Sequence, residues 1–206
     1  MASGGHKGIQ SRIRVADIRR LVTFGTSLTA LGGWQNALSL SLANAYGHHV
    51  EVETVAEAGR DSRWALANVD RVIARSPDLV LIEFTVNDAS ILHLISLRES
   101  EQNTVELVTR IQNALPGAII FLMAMSPFWG RRSLIRPQLE RYYNQQEIIA
   151  RELNVGFIDH RPKWRRFSAA DIRRLIPDGA HPLPAVIAQI IVPSILAALS
   201  VESVPQ

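Results

Sequence analysis

Leu79-Val-Leu-Ile-Glu-Phe84, followed at once by Thr85-Val-Asn-Asp88, is a nearly continuous apolar run that ends in polar residues. Such a run fits a central strand hidden on both faces, because a half-exposed strand alternates apolar with polar positions. Other strand-like runs flank it in sequence. Leu21-Val-Thr-Phe24 precedes Gly25-Thr-Ser-Leu-Thr29, Val50-Glu-Val-Glu-Thr-Val55 alternates, Ala118-Ile-Ile-Phe-Leu-Met123 is apolar throughout, and Val155-Gly-Phe-Ile158 leads to Asp159-His160. Strands are therefore predicted at 21–24, 50–55, 79–84, 119–123 and 155–158.

Helix-compatible segments separate them. They cover 36–45, 62–75 with a stop at Ser76-Pro77, 101–115 with a stop at Pro116-Gly117, and 139–153. A last apolar stretch, Ala185 to Leu199, reads as a buried terminal helix; it contains Gln189 and Pro193 and is shorter than a membrane span. Strands alternating with helices predict an α/β layer architecture around a mostly parallel five-stranded sheet. The 206 residues, 47% of them hydrophobic, are expected to form one domain with a core over about 20–200. In such folds the reaction site is the crevice at the carboxyl ends of the strands.

Polar residues recur at those ends: Ser27, Gly59, Asn87, and later Asp178 and His181 in Pro177-Asp-Gly-Ala-His-Pro182. Each has a structural reading, Ser27 as a helix cap, Asn87-Asp88 as a turn or cap, and Asp178-Gly179 as a turn. A chemical reading covers all of them together. A hydroxyl at a strand-to-helix turn can attack a carbonyl if a base takes its proton, and His181 is that base, with Asp178 fixing its tautomer. The backbone N–H groups of Ser27 and Gly59 and the side-chain amide of Asn87 are the expected donors to a developing oxyanion.

These segments resemble the SGNH hydrolases, the GDSL-type esterases and lipases. Phe24-Gly-Thr-Ser-Leu28 is similar to the first family block, Ala58-Gly59 to the second, Val86-Asn87-Asp88 to the third and Asp178-Gly-Ala-His-Pro182 to the last. The resemblance implies a flavodoxin-like three-layer α/β/α domain, a triad of Ser27, His181 and Asp178, and an oxyanion hole of Ser27, Gly59 and Asn87. It implies a serine esterase that cleaves a small acyl ester, acetyl or short-chain, with a carbohydrate ester as one option. Transfer of the acyl group to a saccharide hydroxyl, and a catalytically impaired saccharide- or protein-binding domain, are the alternatives. Three positions depart from the pattern: Thr26 replaces the usual Asp, Glu57 a common Asn, and Thr85 the Gly that opens the third block, where a side chain would either narrow the oxyanion region or alter the strand-end turn.

Trp34, Phe128 and Trp129 are candidate pocket walls for an acyl chain or a sugar ring. Basic stretches occur at Arg131-Arg132, at Arg161 to Arg166 and at Arg173-Arg174; an anionic acylated saccharide would suit them if they rim the pocket. Net charge is only +3, so nucleic-acid binding is not implied. The absence of cysteine excludes disulfides, thiolate metal sites and a cysteine nucleophile. His48-His49, His93 and His160 form no persuasive metal-ligand set, and no metal or cofactor is expected. The charged run within the first twenty residues lacks the apolar core of a secretory leader, which favours a cytoplasmic location.

Overall fold

The structure is a computed structural model and describes residues 17–202. The first sixteen residues, on which the reading of the leader rests, lie outside the described residues. In chain order the elements are β1 (Arg20–Gly25), α1 (Ser27–Ala30), α2 (Gln35–Tyr46), β2 (Glu51–Ala56), α3 (Ser62–Ile73), β3 (Leu79–Glu83), α4 (Thr85–Asp88) and α5 (Leu97–Ala114). There follow β4 (Ile119–Ala124), α6 (Arg131–Leu134), α7 (Leu139–Glu152), β5 (Gly156–Asp159), α8 (Arg161–Trp164), α9 (Ala169–Leu175) and α10 (Pro184–Glu202).

The five strands run in the order β2-β1-β3-β4-β5, and every pairing is parallel. From β1 the chain builds outward to β2, then crosses back to place β3 on the other side of β1. That reversal opens a crevice at the carboxyl ends of β1 and β3. Phe24 of β1 lies in register with Val55 on one side and Ile82 on the other.

The continuous apolar strands are explained by two separate cores. Leu79 and Leu81, with Phe121 and Met123, face Leu38 and Leu42 of α2 and the stripe Ile187, Ile191, Ile195 and Leu199 of α10. Val80 and Ile82, with Ile120 and Leu122, face Val69 of α3, Leu107 and Ile111 of α5 and Ile149 of α7. Alternate residues of one strand thus enter opposite layers, and each fully buried large aliphatic side chain contributes roughly 1.5–3 kcal/mol. This is the three-layer, flavodoxin-like arrangement expected from the sequence.

Element edges differ from expectation for local reasons. Phe84 leaves the strand, with φ −128° and ψ −14°, and caps α4. Helix α5 begins at Leu97 because the Ser96 hydroxyl accepts the N–H of Glu99 at 3.1 Å. The terminal helix runs through Pro193 to Glu202, although proline removes one intrahelical donor. Among the described residues no helix is long and apolar enough to cross a membrane.

Candidate active site

The turn from β1 into α1 sits over a buried carboxyl group. Glu83, the last residue of β3, is only 1% exposed. Its Oε1 accepts the backbone N–H of Thr26 at 2.6 Å and the Thr29 hydroxyl at 2.7 Å, and the Thr26 hydroxyl reaches Oε2 at 3.0 Å. Burial pushes its pKa up to about 7, against the lowering effect of the Thr29 and Thr26 hydrogen bonds. Gly25 is required by this packing, since a Cβ there would fall 2.2 Å from Glu83 Oε1. Thr26 caps the short helix by accepting the Leu28 N–H, and Ser27 follows as its first residue. A first helical residue has no intrahelical acceptor for its N–H.

The opposite wall comes from the segment between α9 and α10. Asp178 Oδ1 accepts the backbone N–H groups of Ala180 and His181 at 2.9 and 2.7 Å, closing a tight local turn. The same carboxylate accepts His181 Nδ1–H through Oδ2 at 2.6 Å. Burial acts to raise the Asp178 pKa, but the His181 backbone N–H, the imidazole and the Ala180 N–H outweigh it and hold it at about 2. With Nδ1 protonated, Nε2 is the acceptor, and it lies 2.8 Å from Ser27 Oγ. A carboxylate, an imidazole and a hydroxyl therefore form one hydrogen-bonded line across 154 residues of sequence.

Asn87, on α4, is oriented by two partners. Its Oδ1 accepts Arg136 Nη2 at 3.2 Å, and its Nδ2 donates to the Arg60 carbonyl at 2.7 Å. Because guanidinium only donates, the amide orientation is fixed, and one N–H remains for another acceptor. Arg136 also donates to the Val86 carbonyl at 2.6 Å and stacks over the Phe128 ring at 4.2 Å. Burial lowers its pKa to about 10, which leaves it charged at neutral pH. Gly59, the third expected donor, has φ +75°, a left-handed conformation that glycine accommodates without strain. Asp88 faces away from the pocket and ties α4 to its neighbours, accepting Ser62 N–H at 2.8 Å and the Ser100 hydroxyl at 2.6 Å.

Ser27, Gly59, Asn87 and His181 line a pocket of about 210 Å³, with Phe128 and Arg136 among its other walls. Trp34 is not a wall. It is fully buried in the core beneath α2, and its Nε1–H donates to the Leu28 carbonyl at 3.1 Å. Trp129 turns away into a neighbouring cleft, its indole N–H bonded to the Ile176 carbonyl at 2.7 Å.

The strand-end geometry and the sequence agree with a match of a family profile. Residues 22–186 match the GDSL-like Lipase/Acylhydrolase family. The chain belongs to this family. A GDSL esterase/lipase of Arabidopsis thaliana is 28% identical over 139 residues, which are 59% of this chain and 56% of that protein. The alignment thus spans little more than half the length of that curated relative. Axe2, an acetylxylan esterase from Geobacillus stearothermophilus, superposes with a TM-score of 0.74 at 22% identity, over 94% of this chain and 100% of Axe2. TesA superposes with a TM-score of 0.70 at 20% identity, over 89% and 99% of the two chains. At those identities the two likenesses establish the fold.

For a GDSL-like lipase/acylhydrolase, the three departures fall outside the hydrogen-bonded line of Asp178, His181 and Ser27. Thr26 turns inward to Glu83, Glu57 forms an exposed ion pair with Arg60, and Thr85 is buried as the first residue of α4. Thr85 is not among the pocket walls. The histidines considered as metal ligands are dispersed. His93 Nδ1 pairs with Asp61 at 2.9 Å, while His160 is fully buried and burial lowers its pKa to about 3. Among the described residues no group of three or more His, Asp and Glu is placed to hold a metal ion. Glu83 and Arg136 were not singled out by sequence. Glu83 carried a signal, being the one charged residue inside the apolar β3 run, and a buried charge is informative. Arg136 carried none, because its role depends on contacts almost fifty residues away.

Proposed function

We propose that the chain is a serine esterase that removes a small acyl group through a covalent acyl-enzyme at Ser27. The observation that carries this reading is the hydrogen-bonded line from Asp178 through His181 to Ser27 Oγ, at 2.6 and 2.8 Å. His181 Nε2 takes the Ser27 proton as Oγ attacks the ester carbonyl, and Asp178 stabilises the imidazolium that forms. The oxyanion is received by the backbone N–H groups of Ser27 and Gly59 and by the remaining Asn87 N–H, with the charged Arg136 behind it. His181 then protonates the departing alcohol. In the second half, water loses a proton to His181 and attacks the acyl carbon, which restores Ser27.

The pocket of about 210 Å³ favours acetyl and short acyl groups over long ones, since it is smaller than the roughly 300–1,000 Å³ of drug-sized sites. The likeness to an acetylxylan esterase supports an acetylated carbohydrate as the substrate class. Hydrolysis is preferred to transfer to a saccharide hydroxyl because the family match is to lipases and acylhydrolases. The hydrogen bonds joining Asp178, His181 and Ser27 favour catalysis over a binding-only domain.

The test is turnover of 4-nitrophenyl acetate, butyrate and octanoate and of an acetylated xylooligosaccharide, with intact-mass analysis during turnover. The expected result is a kcat/KM that falls with chain length, and a transient acyl adduct absent from Ser27→Ala. Failure to cleave any acetyl ester, or equal turnover by Ser27→Ala, contradicts the proposal.

A further inference from the structure

A second cavity, of about 710 Å³ against about 210 Å³ for the Ser27 pocket, opens at the carboxyl ends of β4 and β5. Its walls are Ser126 and Trp129 after β4, Leu139 and Tyr143 of α7, Trp164 of α8 and Ile172 of α9. None of Ser27, Asn87 and His181 lines it, so it does not receive the acyl group that reacts there.

Its chemistry is specific in two respects. The walls are carbon-rich, yet Ser126, only 2% exposed, has a hydroxyl with no hydrogen-bond partner among the described residues. A buried hydroxyl without a partner is unfavourable, and a ligand oxygen that reached it would relieve that cost. The mouth is basic. Arg161 is held by Asp159 at 2.8 Å, Glu140 at 2.9 Å and Asn144 at 2.7 Å. Arg165 is 3.7 Å from the same Glu140, and Arg173 has no ion-pair partner among the described residues. Three arginines and one glutamate thus line the cavity, which leaves an excess of positive charge beside an apolar interior. The basic stretches that stood out in the sequence at Arg161 to Arg166 and Arg173-Arg174 are in part the rim of this cavity.

We propose that this cavity is a binding site, separate from the Ser27 pocket, for a small amphiphile with an apolar body and one anionic head, of the medium-chain carboxylate class. Aromatic and aliphatic walls accept the chain, and Arg165 and Arg173 meet the head. A saccharide suits it poorly, because sugar hydroxyls buried against such walls would lack partners.

The test is calorimetric titration of the Ser27→Ala chain with decanoate below its micellar concentration, with decyltrimethylammonium as the charge-reversed probe. The expected result is saturable one-to-one binding of decanoate, at least tenfold stronger than that of decyltrimethylammonium. Arg165→Glu with Arg173→Glu should weaken decanoate at least tenfold, as should Ala169→Trp, which fills the cavity from an exposed helix position. Arg165→Lys with Arg173→Lys should retain binding and shows that the positions tolerate change. Absence of saturable binding, equal binding of both probes, or affinity indifferent to the Glu and Trp substitutions overturns the proposal; the last of these would place decanoate in another site.

Discussion

The two sides of the Ser27 pocket are built by opposite means. Ser27 stands on a turn clamped from below by Glu83, a carboxyl group sealed in the core and held by Thr26 and Thr29. Asp178 and His181 stand on a short surface turn that closes on itself, with side chains 48% and 34% exposed. Burial wins at Glu83 and pushes its pKa up to about 7, whereas hydrogen bonds win at Asp178 and hold it at about 2. The difference teaches that Ser27, the proposed nucleophile, is positioned by the fold as a whole, while Asp178 and His181, the proposed acid and base, are positioned by four neighbouring residues. Damage to the first side should appear as lost stability, and damage to the second as lost rate.

Asp178→Asn is expected to show that separation most strongly. Loss of the charge that fixes the His181 tautomer should lower kcat by about a thousandfold, below the effect at a fully buried carboxylate because water screens this one. Melting should hardly change, and a collapse of the fold on this substitution would erase the contrast. Asn87→Ala removes a transition-state donor and should lower kcat by about 10²–10³-fold with a smaller change in KM, as measured with 4-nitrophenyl acetate.

Glu83→Gln addresses the buried side through pH. A group with a folded pKa of about 7 against an ordinary 4.5 gives its full stability below the lower value and loses it as pH rises through the upper one. The difference between pH 4.5 and pH 8 is on the order of 3 kcal/mol. Urea unfolding should show the native chain losing that stability relative to Glu83→Gln as pH rises, since His160, whose lowered pKa acts in the opposite sense over the same window, contributes equally to both chains. Asp178, with its lowered pKa, acts in the opposite sense and only as pH falls toward 2, so the two effects do not overlap. A stability profile identical in both chains would show that Glu83 does not titrate in this window.

Arg136→Met should have the smallest effect, about a tenfold fall in kcat. It leaves Asn87 Oδ1 and the Val86 carbonyl without their donor, yet keeps Asn87 bonded to Arg60. An unchanged kcat would remove Arg136 from the orientation of Asn87.

The same contrast explains what the sequence disclosed. The apolar runs at β1, β3 and β4 located the parallel sheet because strands buried on both faces need uninterrupted apolar residues. The Asp178-Gly-Ala-His181 turn was readable because its hydrogen bonds are local. Trp34 was misplaced because an indole after a strand-end motif does not reveal which layer it enters; here it fills the core under α2. The Glu83 clamp and the Arg136 contact depend on pairs separated by 57 and 49 residues, beyond any local pattern. Helix α9 was overlooked despite its capping box, in which the Ser168 hydroxyl accepts the Asp171 N–H at 3.1 Å.

Reaction with an active-site phosphonate, such as ethyl 4-nitrophenyl methylphosphonate, followed by peptide mapping puts the triad to the most direct trial. Modification of Ser27 alone, advancing in step with the loss of acetyl-ester cleavage and greatly slowed in His181→Ala, is the expected result. Cleavage that continues after Ser27 is fully modified, or a label carried by another serine, would contradict the assignment of Ser27 as the attacking group.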